Sequence, residues 1–388
     1  MRRIVYGING VGLGHATASK RVIDDLLEQE PDLEILVYSS MAALDFLREA
    51  YCGNERVKVE EIWGIDSRMS RGEISILRTG LHLLPHLLRK GKRLEEMGQR
   101  FRQEGVSLVI TDFEHYTPRA ALLLGIPLIA FSHSLFIRFL TLDPRELPRG
   151  VRRDYLLAKN TVKHLYPLGR VNIVNTFYPF PHCEVEGVYF LGPILQREVL
   201  AARELVEDRG FVLVYPKPPN EELFLDLVQG VRELDFVFYV RHPQRFRSRP
   251  NILIKPLSSK SFLQDLAHCR FAFSTAGHQL PCEALFLGKP MVVVPEGGQF
   301  EQYYNGRMLQ EMGWGISVPL PEMSPRVLVD FAEHLEIYRE RLGEASITDA
   351  TPAALQILKG ELAKLPPGPG EKRSAIPGKA EGGLQASG

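Results

Sequence analysis

The stretch 271–305, FAFSTAGHQLPCEALFLGKPMVVVPEGGQFEQYYN, constrains the fold more than any other part of this chain. The apolar run Phe271–Ser274 predicts a buried strand, and a turn at Thr275–Gly277 leads into a predicted helix at Gln279–Leu287. A second apolar strand, Met291–Val294, runs into a Gly-Gly loop. Strand, helix and strand in this order are typical of a parallel sheet covered by helices. The stretch therefore predicts an α/β unit.

The turn before this predicted helix is suited to an anion. The first N–H groups of a helix lack intrahelical partners, and the helix dipole favours negative charge there. Glu283 lies nearly two helical turns beyond Gly277, where a carboxylate can accept both hydroxyls of a ribose. The second loop carries polar side chains suited to sugar hydroxyls: Gln299, Glu301, Gln302 and Asn305. The stretch therefore predicts binding of a nucleotide diphosphate joined to a sugar.

This region resembles the donor-binding region of glycosyltransferases of the GT-B fold, in particular the UDP-glucuronosyltransferase-like enzymes and the N-acetylglucosaminyl transferase that makes lipid II. The shared pattern is formed here by Gly277, Glu283, Gly288-Lys289-Pro290, Pro295, Glu301-Gln302 and Asn305. The resemblance implies an α/β protein with two Rossmann-like, doubly wound domains that face a cleft. The alternative is any doubly wound unit with a glycine turn, because such units are common.

The resemblance also implies roles for individual residues on the donor side. Gly277 and His278 would bind the diphosphate, Glu283 the ribose, and Glu301 with Gln302 the sugar.

Three further donor-side positions are predicted around the same site. Plant relatives have a phosphate-binding histidine where this chain has Thr275, and His278 would take over that duty. Arg241 ends another predicted strand at the same edge, where a cation offsets the charge of the leaving diphosphate. A solvated loop arginine is the alternative. Lys217 follows a Pro-rich turn that lacks N–H groups, so it would supply a point charge instead.

A second glycine-rich loop lies near the N-terminus. Residues 3–8 predict a strand, and the loop through Gly12 and Gly14 ends at His15, where a helix over 16–28 begins. The match to a dinucleotide fingerprint is weak, because no acid ends the second predicted strand. In the resembled family a histidine here serves the acceptor hydroxyl, so the resemblance makes His15 the predicted general base. A helix-capping histidine is the alternative.

Asp112 ends the apolar run 106–110, which predicts a buried parallel strand. Ligands of open α/β sheets bind beyond the carboxyl ends of the strands, so Asp112 is predicted to reach His15 and fix its tautomer. In plant and animal members of the resembled superfamily an Asp at the end of this strand pairs with the histidine. Glu114 and His115 are alternative bases, and a solvated strand-end acid is the alternative for Asp112.

Strand and helix signals alternate through two halves of the 388 residues, a length typical of two domains. We predict an N-terminal Rossmann-like acceptor-binding domain at 1–192 and a linker at 193–210. A C-terminal Rossmann-like nucleotide-sugar-binding domain is predicted at 211–365. Residues 366–388 lack apolar periodicity, which predicts a disordered tail.

Composition excludes several other classes of protein. The formal net charge is zero, so no overall field attracts nucleic acid. The four cysteines have no paired spacing, which argues against a disulfide framework or a zinc site. The N-terminus enters a strand directly, and a cytoplasmic location is expected. Segments 81–93 and 134–142 combine apolar and basic residues, so either a peripheral site at the inner face of a membrane or a buried core fits them.

The predicted function is transfer of a sugar from a nucleotide diphosphate sugar to a hydroxyl acceptor, with inversion. The resemblance implies a UDP-linked donor and no metal or other cofactor, and the chain has no Asp-x-Asp motif. The predicted partners are the donor and an acceptor of unknown identity, with a lipid-linked acceptor left open. The alternatives are a sugar-nucleotide 2-epimerase on the same fold and a non-catalytic sugar-nucleotide-binding subunit.

Overall fold

The computed structural model describes residues 2–64, 69–70, 73–74, 91–180, 185–217, 220–257 and 259–366. The predicted tail, apart from its first residue, and most of the basic segment 81–93 lie outside these residues.

A parallel sheet of seven strands organises the first unit. Its strands are β1 (Arg2–Ile8), β2 (Leu33–Ser39), β3 (Val57–Glu61), β6 (Val106–Asp112), β7 (Leu128–Phe131), β8 (Val171–Asn175) and β9 (Val188–Leu191), with a short antiparallel pair, β4 (Met69–Ser70) and β5 (Glu73–Ile74), outside it. The strand order is β3-β2-β1-β6-β7-β8-β9. The order reverses between β1 and β6, and such a switch point opens a crevice beyond the strand ends.

A second parallel sheet repeats this topology with six strands. Its strands are β10 (Phe211–Tyr215), β11 (Asp235–Val240), β12 (Ile252–Pro256), β13 (Ala272–Thr275), β14 (Met291–Val294) and β15 (Gly315–Ser317). The order β12-β11-β10-β13-β14-β15 places the switch point between β10 and β13. Two doubly wound sheets of this kind confirm the predicted GT-B architecture.

Helices cover both faces of each sheet because apolar strands on a parallel sheet must be buried on two sides. The first unit has α1 (Gly14–Gln29), α2 (Met41–Ala50), α3 (91–103), α4 (Thr117–Leu124), α5 (Phe136–Phe139) and α6 (Arg149–Leu165). Then come α7 (Arg197–Ala202), α8 (Glu221–Gln229), α9 (Ser259–His268), α10 (Gln279–Phe286), α11 (Phe300–Glu311), α12 (Pro325–Glu333), α13 (Leu335–Gly343) and α14 (Thr351–Ala363). The helices α12 and α13 meet at His334, which is the C-cap of α12 and the N-cap of α13.

The chain crosses between the two units twice at one place. The backbone N–H of Ala350 donates to the Pro193 carbonyl at 2.9 Å, and the N–H of Leu195 donates to Asp349 at 3.2 Å. After the second crossing, α14 packs its buried Leu355 and Leu358 into the core of the first sheet. The last helix therefore returns to the first unit. The domain boundaries drawn from the sequence stay a prediction.

The apolar segment 134–142 contributes to the core. Leu135, Phe136, Ile137 and Leu140 are all buried, which confirms the core alternative for this segment. Within the described part of the chain, no helix has the length and apolar character needed to span a membrane.

Candidate active site

His15 and Asp112 meet at the switch point of the first sheet. The strand β6 pairs directly with β1, so the residues that follow both strands share one edge of the sheet. His15 Nδ1 lies 2.8 Å from Asp112 Oδ1. Because a carboxylate only accepts, Nδ1 carries the proton and Nε2 is left with a lone pair. The predicted contact between these two residues is therefore present in the structure.

The Asp112 carboxylate is held by a second contact that the sequence interpretation missed. Ser19 Oγ donates to Asp112 Oδ2 at 2.9 Å, and both groups are buried. Ser19 lies one helical turn after His15, so the two side chains share a face of α1. The spacing of four residues between His15 and Ser19 was the sequence pattern that could have identified this contact. With both oxygens engaged, Asp112 has a fixed orientation toward the imidazole.

The charges around His15 favour its protonated form. Burial alone would lower the pKa of His15, but the Asp112 carboxylate outweighs it, and the pKa is raised with a smaller contribution from Glu301. Glu301 belongs to α11 of the second unit. A carboxylate on the far side of the cleft therefore contributes to the raised pKa of His15.

Phe113 carries backbone strain beside this pair. Its φ of 54° lies in the left-handed region, which a bulky residue adopts only under constraint. The Asn9 amide donates to the Phe113 carbonyl at 3.1 Å, and the Phe113 ring stacks on Tyr166 at 3.7 Å between centroids. The Phe113 ring is also parallel to the His15 imidazole, with centroids 6.1 Å apart. Strain held by several contacts is typical of functional sites.

Glu114, one alternative base, is engaged in capping a helix. Its carboxylate accepts from the backbone N–H groups of Tyr116 and Thr117 and from the Thr117 hydroxyl, each at 2.7 Å. Burial raises the pKa of Glu114 in spite of these hydrogen bonds. His115 is also buried and lies 3.6 Å from Glu114. Glu114 therefore serves to hold the N-terminus of α4.

Close packing explains part of the glycine-rich loop. A Cβ on Gly10 would lie 2.1 Å from the Ser40 hydroxyl and 2.4 Å from the Ser40 carbonyl oxygen. Gly12 has a φ of +72°, and a Cβ on Gly14 would approach only the Gln279 side chain, at 3.5 Å. Gln279 begins α10, so this loop faces the donor side of the cleft.

We expect Gly10→Ala to lower the free energy of unfolding by roughly 1–3 kcal/mol, the usual cost of overpacking. The backbone oxygen of Ser40 cannot move aside as a flexible side chain can. Gly14→Ala is the matched control, since its added methyl group meets ordinary contact distances. Denaturant unfolding of both variants checks the difference, and equal midpoints would contradict the packing argument.

The N-terminus of α10 presents free donors to the cleft. No side chain caps it, and the first amides of a helix have no intrahelical partners. The imidazole of His278, at the N-cap, stacks on His133 of the first unit with centroids 3.5 Å apart. Burial lowers the pKa of His278 well below its ordinary value, helped by the nearby His133 and His15. His278 is therefore neutral and can offer an N–H but no charge.

Glu283 is a partly buried carboxylate with few hydrogen-bond partners among the described residues. Among the described residues the Gln279 side-chain amide donates to Glu283 Oε1 at 2.8 Å. Burial raises the pKa of Glu283 to about 7, against a smaller opposing effect of that amide. An acid held in this way has an oxygen left for a ligand, as its predicted contact with a ribose requires.

Glu301 and Gln302 have different environments although they are adjacent. Glu301 Oε2 accepts from Ser134 Oγ of the first unit, and Oε1 lies 4.0 Å from His133 Nε2. Gln302 is buried, and its amide bonds to Glu296, with its Oε1 accepting from the Glu296 N–H at 3.1 Å. Glu301 therefore faces the cleft, whereas Gln302 holds the loop after β14.

His133 connects the two units and was missed by the sequence interpretation. It follows β7, and its position just beyond a strand end was the sequence pattern that could have identified it as a site residue. Nδ1 lies 2.8 Å from the Asn175 carbonyl, and Nε2 lies 3.1 Å from Asn305 Oδ1 on α11. The Asn305 amide donates in turn to the Ala276 carbonyl at 3.2 Å. This chain of contacts ties the ends of β7 and β8 to the donor loop.

The other predicted donor residues lie at the same edge of the second sheet. Thr275 ends β13 and is buried. Arg241 directly follows β11 with an exposed side chain, and its backbone N–H donates to Glu221 at 2.9 Å. Lys217 lies 3.7 Å from Glu296. The structure thus gathers the predicted donor residues around β10, β11, β13 and α10.

The overall fold is similar to those of solved glycosyltransferases. The calicheamicin glycosyltransferase CalG4 has a TM-score of 0.64 and 17% identity, covering 94% of this chain and 100% of that one. A Medicago truncatula protein solved in complex with UDP-glucose has a TM-score of 0.65 and 12% identity, covering 93% and 98%. MurG of Acinetobacter baumannii has a TM-score of 0.59 and 13% identity, covering 93% and 100%. These likenesses establish the GT-B fold.

Sequence comparison identifies the family. An uncharacterized glycosyltransferase of Methanopyrus kandleri is 22% identical over 251 residues, which cover 60% of this chain and 69% of that protein. The model of the family described as glycosyl transferase family 1 matches residues 2–336. This chain therefore belongs to glycosyl transferase family 1, and it is a glycosyltransferase of the GT-B fold.

Proposed function

We propose that this glycosyltransferase moves a sugar from a UDP-linked donor to a hydroxyl acceptor with inversion at the anomeric carbon. The observation that carries the proposal is the His15–Asp112 pair, set at 2.8 Å on one side of the cleft and electrostatically coupled to Glu301 on the other. A base and an orienting carboxylate serve a step that moves a proton. A binding subunit has no need of such a pair.

In the proposed step the acceptor oxygen attacks the anomeric carbon and its proton passes to His15 Nε2. The bond between that carbon and the diphosphate oxygen breaks at the same time, and the nucleoside diphosphate leaves. Asp112 remains ionised and stabilises the imidazolium that forms. Direct displacement on the face opposite the leaving group inverts the anomeric centre.

On the donor side, the free amides of α10 and the neutral His278 would donate to the diphosphate, with Gly277 allowing close approach. Arg241 and Thr275 lie at strand ends around the same place. Helix-end amides stabilise leaving-group charge without a metal ion, so no metal and no other cofactor is proposed.

The remaining donor contacts divide between ribose and sugar. Glu283 would accept the two ribose hydroxyls. Glu301 would bind the transferred sugar directly, whereas Gln302 would act through Glu296 and the shape of the loop. Support for a UDP-linked donor comes from the structurally similar Medicago truncatula protein, which was solved with UDP-glucose.

A donor assay tests the proposal. The protein is incubated with UDP-sugars, and the sugar products are followed by NMR with and without a hydroxyl acceptor. Transfer, or slow release of the inverted sugar to water, supports the proposal. Formation of the 2-epimer would instead identify an epimerase, and binding without any turnover would identify a binding subunit.

We expect the affinity for UDP-glucose to fall about tenfold as the pH drops from about 8 to about 6, if the ionised form of Glu283 binds the ribose. The pKa of Glu283 is raised to about 7, so this carboxyl gains its proton within that window. UDP-glucose suits the measurement because its diphosphate has no ionisation there. In Glu283→Gln the affinity should be low and independent of pH, and a matching slope in that variant would assign the titration to another group.

A further inference from the structure

The helix α6 (Arg149–Leu165) carries a concentration of positive charge. Its sequence, RGVRRDYLLAKNTVKHL, has five arginine and lysine residues and one acid, and so a formal charge of +4. The whole chain has a formal net charge of zero. The positive charge of α6 is therefore a local feature of this helix.

The exposed side chains of α6 form one stripe along the helix. They include Arg149, Arg153, Leu156, Leu157, Asn160 and Lys163. Their spacing of three, four and seven residues places them on one face of the helix. The one acid of α6, Asp154, is half-buried and lies outside this face. The exposed face, called here the α6 stripe, thus combines cations with leucines.

The two leucines lie in the middle of the α6 stripe. Leu156 is 45% exposed and Leu157 is 42% exposed. Arg153 lies about one helical turn before them, and Lys163 lies about two turns after them. Exposed leucines between long cationic side chains are typical of a helix that lies at the surface of a membrane.

The neighbouring helix α4 adds to this surface. The Arg119 guanidinium on α4 donates to the His164 carbonyl at 2.9 Å, so α4 lies beside the end of α6. Leu122 and Leu123 follow on α4 and are 53% and 71% exposed. Single exposed leucines are ordinary on a protein, but two pairs on adjoining helices indicate an interaction surface.

The opposite face of α6 is fixed in the core. Tyr155 and Val162 are buried there. The Tyr155 hydroxyl donates to the Leu140 carbonyl at 3.3 Å, and the Tyr155 ring packs on Phe300 of α11 with centroids 4.8 Å apart. Packing of the fold therefore explains the buried face of α6, but it does not explain the leucines and cations of the stripe.

We infer that the α6 stripe is a docking surface for a membrane that contains anionic lipids. The arginine and lysine side chains would reach the lipid phosphates, and the leucines would enter the boundary between headgroups and acyl chains. The phosphates of a nucleic acid would pair with the cations but would leave the leucines without apolar partners. This surface is separate from the segments 81–93 and 134–142, and the inference does not depend on the proposed reaction.

Sedimentation of the full chain with lipid vesicles tests the inference. The protein should bind vesicles that mix phosphatidylcholine and phosphatidylglycerol at about 7:3, because their surface is negative. It should not bind vesicles of phosphatidylcholine alone. Binding to the anionic vesicles should weaken as sodium chloride is raised from about 0.1 M to about 0.5 M, because salt screens the attraction.

The triple variant Arg149→Gln/Arg153→Gln/Lys163→Gln tests the cations. It should weaken binding to the anionic vesicles about a hundredfold, or about fivefold for each cation, which corresponds to about 1 kcal/mol per charge. Its melting temperature should match that of the wild type, because the three side chains are exposed.

The matched control removes three exposed cations outside α6, in Arg209→Gln/Arg326→Gln/Arg341→Gln. It changes the net charge of the chain by the same amount as the α6 triple variant. It should bind the anionic vesicles nearly as well as the wild type, because its cations lie away from the α6 stripe.

The double variant Leu156→Ser/Leu157→Ser tests the apolar contact. It should weaken vesicle binding about tenfold, because the leucines would no longer transfer apolar surface out of water. Ile337→Ser is the matched control, since Ile337 is an apolar residue of α13 that is 57% exposed. This control should leave vesicle binding unchanged.

Equal binding to the two kinds of vesicle, or equal binding by the α6 triple variant and its control, would overturn the inference. Binding that depends on the cations but not on the leucines would identify a polyanion such as a nucleic acid as the partner, and would overturn it as well. Calorimetry with UDP-glucose should give the same affinity for the α6 variants and the wild type, so the docking surface and the proposed function are tested separately.

Discussion

Replacing His15 with alanine is expected to lower sugar transfer by roughly 10²–10⁴-fold, the usual contribution of a general base. Binding of the nucleotide sugar should change little, because its predicted contacts lie on the second unit. Calorimetry with UDP-glucose and initial rates with an acceptor separate the two effects. His164→Ala, at an exposed histidine of α6, is the matched control. Near-normal transfer by His15→Ala would reduce His15 to a residue of the helix start and direct the search to His115.

Asp112→Asn should cause a smaller loss of transfer, because the imidazole remains but loses its orienting charge. The wild-type rate should rise with pH as His15 loses its proton, and the ionisation should lie above the ordinary value of about 6.5, because Asp112 raises the pKa of His15. The same pair stabilises the fold below that ordinary value, and this contribution is lost as the pH rises through the raised pKa. Both titrations should be absent in His15→Ala.

Glu283→Ala is expected to lower the affinity for UDP-glucose about tenfold or more, through loss of a charge-assisted contact worth roughly 1.5–3 kcal/mol. The fold should survive, because the variant removes a partly buried carboxylate that has one amide partner among the described residues. Glu336→Ala, at an exposed glutamate of α13, controls for the loss of one negative charge. Unchanged affinity in calorimetry would contradict the ribose assignment.

The fold was predictable because it follows from local sequence patterns, namely short apolar runs that alternate with helical segments. Apolar runs such as 108–110 and 271–273 had no polar interruption and alternated with helical segments, so two units with parallel sheets followed. The proximity of His15 and Asp112 was predictable for the same reason. Each follows a strand, and the carboxyl ends of adjacent parallel strands share one edge.

Contacts between distant segments were not predictable. The bond between Ser134 and Glu301 joins residues 167 positions apart, and neither residue carries a pattern that identifies the other. Glu301 and Gln302 look equivalent in the sequence, but in the structure the Gln302 amide bonds to Glu296 in the loop after β14.

We expect the double crossing of the chain at Pro193–Leu195 and Asp349–Ala350 to act as a pivot for relative motion of the two units. Two connections that are hydrogen-bonded side by side resist sliding of one unit over the other and leave rotation as the easiest relative motion. The edge of the cleft farthest from the pivot would then open most. Cutting the chain at only one crossing should leave the halves attached, since α14 stays packed on the first sheet and acts as an anchor.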